Sequence, residues 1–433
     1  MPKQLKIRSW SSKDLPIDWL RRAESTGGSV ENDVKTIITE VKEKGDAAIV
    51  QLTEEYDKVR LAPNTLRVTP EEIQEAYSQV TDEQISSLRL MAEKVSDFEK
   101  PILSQLGTAT SHGGTTIRTL LYPIESVGCY IPGGQAAYPS TVIMTTVPAK
   151  VAGVPRIVVV SPPDKNGKVN PLVLVAADIC AVNEIYKVGG AQAIAALAYG
   201  TNTISPVRKI VGPGSKYVTM AKILVSKDVA IDMPAGPSEV LVLADESSNP
   251  WFVAADMISQ AEHSADSIAG LITTSKNLAK EVAGLLATMS DSAERTEIIQ
   301  KSLQTRAFII TCDTTAEMAR LANAFAPEHI EIVTQDPLAL IDQVSSAGLI
   351  LIGPYSPVAL SDYGSGTNHV LPTGGFAHAF SGLSVLDFTR RVSVVDSSKE
   401  GLFSLRNHIR VLTEAENLPN HYKSVTARFD DES

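Results

Sequence analysis

A chain of 433 residues exceeds the roughly 250–300 that one hydrophobic core organises, so two or three domains are expected. Its net charge of −11 and its 5% aromatic content exclude the basic stripe and stacking residues of a phosphate-backbone binder, so nucleic acid is not expected as a partner. No apolar run reaches the ~18 residues of a membrane helix, MPKQLKIRSW is no secretory leader, and Cys129, Cys180 and Cys312 lie too far apart for a disulfide framework, which together point to the cytoplasm and to no membrane partner.

In chain order, residues 1 to about 125 read as mostly helical. Thr69 before Pro70-Glu71-Glu72 supplies an N-cap, a first-turn proline and acidic residues where the helix dipole favours them. From about residue 127, β-branched runs alternate with glycine- or proline-bearing loops and alanine-rich helices: RIVVVSPP leads to PLVLVAADICAV, EIYKVGG to AQAIAALAYG, and KIVGPG to SKYVTMAKILV. Such alternation implies crossover units and a parallel sheet covered on both faces. After a boundary near 238 the pattern restarts, with VLVLAD, GLITT, AFIIT, HIEIVT and GLILIG as strands and a helix from Asn249-Pro250 through DMISQAEHS.

The fold class expected is therefore α/β: two Rossmann-like domains with parallel-rich sheets, a helical N-terminal region and a C-terminal helical arm. The division is 1–24 as an N-terminal segment, 25–129 together with 239–381 as one α/β domain, 130–238 as an α/β domain inserted in it, and 382–433 as an arm. EGLFSLRNHIRVLTEAEN in that arm is too isolated to form a core and suits packing on another subunit.

Gln260 and His263 stand three apart in SQAEHS, on one face of the expected helix, with Asp362 and His369 in SDYGSGTNHV and His421 near the C-terminus. These nitrogen and oxygen donors without thiolate suit zinc or a similar ion at a catalytic site; the ordinary alternative for the Gln-His pair is a polar surface stripe. Asp362 and His369 follow GLILIG, which places them at the carboxyl end of that strand, where open α/β sheets bind ligands. Glu328 and His329, at a loop-to-strand junction, supply a carboxylate and an imidazole for proton transfer. His112, His378 and His408 have no partners in sequence and read as structural. The turns Tyr130–Gly134, Val188–Gln192 and Val211–Ser215 precede helices and could offer N–H groups to a phosphate, although none matches GxGxxG. Ser238 ends the turn Pro234-Ala-Gly-Pro-Ser238.

IPGGQAAYPS, VGGAQAIAALAYGT, IDMPAGPSEVLVLAD, SQAEHS, FAPEHIEI, DYGSGTNHVLPTGG and SGLSVLDF together closely resemble histidinol dehydrogenase, over residues 30 to 428. The resemblance implies four-electron oxidation of L-histidinol to L-histidine through a bound aldehyde, one zinc ion per subunit and two NAD. It implies an intertwined homodimer in which one chain's arm completes the other's site, with 25–129 and 239–381 as the zinc and catalytic domain and 130–238 as the NAD domain. Carried over by position, Gln260, His263, Asp362 and His421 match the zinc ligands and, with Ser238, His329, His369 and Glu416, line the substrate site. Glu328 and His329 match the proton-transfer pair, and Tyr130, Gln192 and Ser215 the cofactor contacts. Ser215 departs from the family's usual Asn, and Asn417 from a common glycine. Another primary alcohol as substrate, or a non-catalytic metal-stabilised dimer, would be the alternatives. Cys129 reads as a small buried residue rather than a nucleophile.

Overall fold

The computed structural model describes residues 5–10, 28–133, 137–233 and 235–429. Of the expected N-terminal segment it describes residues 5–10, with β1 (Ile7–Ser9); residues 1–4 and 11–24, with Gly134 and Pro234 of the two turns, lie outside the described residues. Helices α1 (Gly28–Lys44) and α2 (Asp46–Asp57) meet at Gly45, whose φ of 57° suits a residue without Cβ. Next come α3 (Pro70–Tyr77) and α4 (Asp82–Ser104). Each opens with a capping box: the hydroxyl of Thr69 or Thr81 accepts from the third helical N–H, and Glu72 or Gln84 reaches back to the cap N–H.

After β2 (Ala109–His112) and β3 (Thr115–Pro123), the crossover units begin: β4 (Ser126–Tyr130), α5 (Pro139–Val151), β5 (Arg156–Ser161), α6 (Pro171–Ile179), β6 (Glu184–Lys187), α7 (Gly190–Tyr199), β7 (Lys209–Val211), α8 (Lys216–Val225) and β8 (Ala230–Ile231). The five strands pair in parallel in the order β6-β5-β4-β7-β8. Because side chains alternate across a strand, β5 feeds two cores: Val158 and Val160 join α1, α2, α7 and α8, whereas Val159 joins α3 to α6. The apolar faces of the four N-terminal helices are spent on the five-stranded sheet, and those helices become its cover.

The second sheet is built from β9 (Glu239–Ala244), α9 (Pro250–Ala261), β10 (Ile268–Thr273), α10 (Lys276–Ser292), α11 (Thr296–Thr305), β11 (Phe308–Thr311), α12 (Thr315–Phe325), β12 (His329–Val333), α13 (Pro337–Ile341), β13 (Leu349–Ile352) and α14 (Val358–Tyr363). Its order is β1-β11-β10-β9-β12-β13, all parallel. Central β9 again serves two cores, Val240 and Val242 on one face and Leu241 and Leu243 on the other.

The tail is not helical alone. Its strand β14 (Thr389–Ser397) pairs antiparallel with β3, and β2 completes a three-stranded sheet. Helices α15 (Lys399–Ala415) and α16 (Pro419–Thr426) follow, with Phe403, Leu405, Val411 and Leu412 exposed. No described helix is long and apolar enough to cross a membrane.

Candidate active site

Glu328 and His329 stand at the start of β12, and both are buried. The His329 ring lies between two carboxylates, with Nδ1 3.6 Å from Glu328 Oε2 and Nε2 3.9 Å from Asp362 Oδ1. Neither distance is a hydrogen bond, and both ring nitrogens are buried without a hydrogen-bond partner. His369 Nδ1 lies 3.9 Å from the same Asp362 oxygen. Burial is the largest influence on both rings and opposes their charge. At His329 the neighbouring Glu328 and Asp362 carboxylates outweigh it, so the ring is a stronger base than an ordinary histidine. At His369 burial prevails and, with His329 adding to it, holds the pKa below the usual value. The two imidazoles are thereby driven apart in basicity, which separates a proton acceptor from a neutral ring.

This cluster overturns the placement of Asp362 and His369 at the carboxyl end of a strand. From the carboxyl end of β13 the chain folds into α14, which carries Asp362 back to within reach of His329, the first residue of β12. The ionisable groups therefore gather at the amino edge of the six-stranded sheet. Ser238, half-buried, directly precedes β9 and belongs to the same edge. α9 returns from the carboxyl end of β9 and stops at Ala261, short of the expected span. Gln260 is thus its penultimate residue, buried, with its amide nitrogen unpartnered. His263 lies just past the helix and is exposed; its N–H donates to Gln260 O (3.2 Å) and its Nδ1 lies 3.2 Å from Ser259 O.

Three supporting residues escape a sequence reading. Glu239 N–H donates to Glu328 Oε2 (2.8 Å) while Glu328 N–H donates to Glu239 Oε2 (3.3 Å), a reciprocal clamp between adjacent strands. The sequence signal for Glu239 is a lone charge opening the apolar run EVLVLA. Asn368 fixes the loop beside His369: its amide donates to Met144 O in α5 (2.7 Å) and its carbonyl accepts from Val370 N–H (2.9 Å). Glu331, inside β12, accepts from Val358 N–H at the start of α14 (2.9 Å), anchoring the helix that bears Asp362. Asp256 on α9 lies within electrostatic reach of it, and burial first, then repulsion from Asp256, lifts Glu331 well above the usual carboxyl range. Asp256, lifted by burial to about 6, leaves the pair one shared proton near neutral pH.

The five-stranded sheet offers its opposite edge. Tyr130 ends β4, and its buried phenol accepts from Gly190 N–H at the head of α7 (3.1 Å). Gln192 lies buried in that helix's first turn. Ser215 is the N-cap residue of α8, exposed, with its hydroxyl making no cap bond. The 211–215 turn is braced from below: Gly212 N–H donates to Asp232 Oδ2 (2.8 Å), Lys222 Nζ donates to Gly212 O (2.9 Å), and Lys222 pairs with Asp232.

Glu416 and His421 do not join either group within the chain. Both are exposed, Glu416 capping α15 and His421 within α16. Among the described residues, no three His, Cys, Asp or Glu side chains of one chain gather into a metal-binding group. The residue types present nonetheless suit zinc: a buried glutamine amide, whose oxygen can ligate, a buried carboxylate flanked by imidazoles, and no thiolate.

The histidinol dehydrogenase family model matches residues 20–429. The chain is 45% identical over 396 residues to the histidinol dehydrogenase of Clostridium acetobutylicum, spanning 92% of this chain and 91% of that one. Against that of Methanocaldococcus jannaschii it is 45% identical over 397 residues, 92% of each. The crystal structure of histidinol dehydrogenase from Elizabethkingia anophelis matches with a TM-score of 0.94 at 35% identity, over 99% of this chain and 98% of that one. Similarity of that extent, in sequence and in three dimensions, places the chain in the histidinol dehydrogenase family.

Proposed function

We propose that this chain oxidises L-histidinol to L-histidine through bound L-histidinaldehyde, with two NAD consumed per histidinol, as the last step of histidine biosynthesis. The observation that carries the reading is His329, whose two buried ring nitrogens lack hydrogen-bond partners and lie between the Glu328 and Asp362 carboxylates. Gln260, His263 and Asp362, with His421 of the partner subunit, would hold one zinc ion. When bound, that ion supplies a template and Lewis acid for the substrate's nitrogen donors. NAD, as cosubstrate, accepts a hydride in each oxidation.

His329 takes the hydroxyl proton as hydride leaves the alcohol carbon. The aldehyde stays bound while Glu328, aided by His329, removes a proton from water attacking the carbonyl carbon. The resulting hydrate loses the second hydride and becomes the carboxylate. His369, kept neutral by burial, is suited to hold the substrate by hydrogen bonds, together with Ser238 and Glu416 of the partner subunit. The reading assigns the five-stranded sheet to NAD through Tyr130, Gln192 and Ser215, and the six-stranded sheet to zinc and catalysis. A homodimer accords with exposed Glu416 and His421 on an arm whose apolar residues lack cover. A cytoplasmic setting accords with three buried, unpaired thiols.

An end-point titration tests it, with limiting L-histidinol, excess NAD and added zinc. The expected yield is about two NADH per histidinol with histidine as product, since a primary alcohol reaches the carboxylate by two hydride transfers. No NADH from zinc-loaded, folded protein would overturn the reading.

A further inference from the structure

Asp57, the last residue of α2, has no part in the chemistry above. Its position follows from the other end of the helix. Asp46 accepts from the N–H (3.3 Å) and hydroxyl (2.7 Å) of Thr203, just beyond the carboxyl end of α7, and the two helices pack side by side. They therefore run antiparallel, and α2 ends where α7 begins, at the glycine turn that receives the Tyr130 phenol. Asp57 lies within electrostatic reach of Tyr130. The chain beyond it keeps to the same edge: Val59 and Leu61 pack against Gly167 in the loop after β5, and Val68 N–H donates to Ile185 O in β6 (2.9 Å).

Asp57 Oδ2 is buried and has no hydrogen-bond partner. Burial pushes this carboxyl up to about 6, so it is mostly ionised at neutral pH and above. A buried anionic oxygen lacking a donor is costly, and such an atom at the ligand edge of a parallel sheet suits a ligand that brings O–H donors. A ribose diol brings two. The strand order identifies which ribose. β8 leads through residues 232–238 to β9 and the His329 cluster, whereas α2 packs on α7, which follows β6 at the opposite flank of the sheet. Asp57 thus stands at the end of the site remote from the reacting carbon.

We infer that Asp57 is a specificity-determining residue which accepts hydrogen bonds from the adenine-side ribose hydroxyls of NAD and, by its charge, rejects a dinucleotide phosphorylated at the 2′ position. The inference rests on the NAD reading above and fixes which dinucleotide the site takes.

Asp57→Asn and Asp57→Ser, each with its thermal midpoint measured against the parent, test it. Initial rates with L-histidinol should show the NAD KM raised about tenfold or more, the loss expected for a hydrogen bond to a charged group, and the NADP KM lowered. The NAD-to-NADP ratio of kcat/KM should therefore fall by more than the NAD term alone. The effect should lie mainly in KM, because the reacting end is untouched. An unchanged ratio in a folded variant overturns the assignment even if the parent turns over NAD normally. If the parent reduces neither dinucleotide, the functional reading fails instead, and calorimetric binding of NAD and NADP to parent and variant still decides the role of Asp57: equal discrimination in both overturns it.

Discussion

The two parallel sheets use opposite edges. In the five-stranded sheet, Tyr130 and the turns at Gly189-Gly190 and Gly212–Gly214 stand where strands end and helices begin, so the positive ends of α7 and α8 face that edge, while Gly190 N–H and Gly212 N–H are already held by the Tyr130 phenol and Asp232. In the six-stranded sheet, Ser238, Glu328, His329 and Asp362 collect where strands begin. The first edge presents backbone dipoles, which suit an anionic phosphate and need little from side chains. The second presents titratable groups buried at the starts of paired strands, which suits proton transfer. On the proposed assignment of the two sites, the rule that open α/β sheets bind ligands at their carboxyl ends describes the first sheet and fails for the second. The reason is local: α9 and α14 each return to the amino edge, bringing Gln260 and Asp362 with them.

The largest expected effect comes from stripping the amino edge of its proton chemistry. His329→Gln removes the base while retaining size and polarity, and kcat for histidinol should fall by roughly 10²–10⁴-fold. Glu328→Gln can still accept from Glu239 N–H, so the strand clamp survives while the carboxylate is lost. Supplied with histidinaldehyde and NAD, this variant should be impaired more than with histidinol in single-turnover formation of the first NADH. Zinc content measured by atomic absorption should match the parent in both. Equal impairment of the two oxidations by Glu328→Gln would remove the assigned role in water activation.

A smaller effect is expected beneath the same edge. Asp256 and Glu331 both have carboxyl pKa values raised in the folded protein, burial being the first cause. A raised folded-state value means that the stability they contribute is complete below the unfolded carboxyl range near about 4 and is lost as pH rises through the folded values. Glu331→Gln keeps an acceptor for Val358 N–H and offers Asp256 a donor, but cannot ionise. Its thermal midpoint should therefore decline less than the parent's between about pH 5 and about pH 8. Other buried carboxyls, such as Glu99, titrate in both proteins, so the difference between the two curves isolates the pair. Identical curves would show that Glu331 does not carry the shared proton.

The sheets were readable because fully buried parallel strands are written as β-branched runs such as RIVVVS and EVLVLA, and their helices as alanine-rich stretches closed by glycine turns. The small antiparallel sheet was not. β3 and β14 are largely exposed, and Thr115 pairs with Ser397 across most of the chain, so neither periodicity nor a local turn announces them. Which sheet α1 to α4 pack on was not legible for a similar reason: an amphipathic helix declares that it has an apolar face and not which sheet that face meets. At the site, the residue types and the Glu328-His329 junction were legible, but the edge they occupy depends on α14, a helix of six residues. The Glu239–Glu328 clamp joins residues 89 apart and could be inferred only from the odd charge at the head of β9.

The smallest effect separates the two edges most cleanly. Cys129 lies in β4, next to Tyr130 and so beside the proposed cofactor site, and a thiol there could in principle attack the aldehyde. The structure gives it the wrong character: it is fully buried, and burial pushes its thiol up to about 12, so thiolate is scarce at neutral pH. It also belongs to the five-stranded sheet, whereas Glu328, His329 and Asp362 belong to the other. Cys129→Ala should cost about 1 kcal/mol of stability from the lost packing and leave the yield at about two NADH per histidinol. Loss of the aldehyde step alone, with the first oxidation intact, would demand a thiohemiacetal on Cys129 and would move the second oxidation from the amino edge of one sheet to the carboxyl edge of the other.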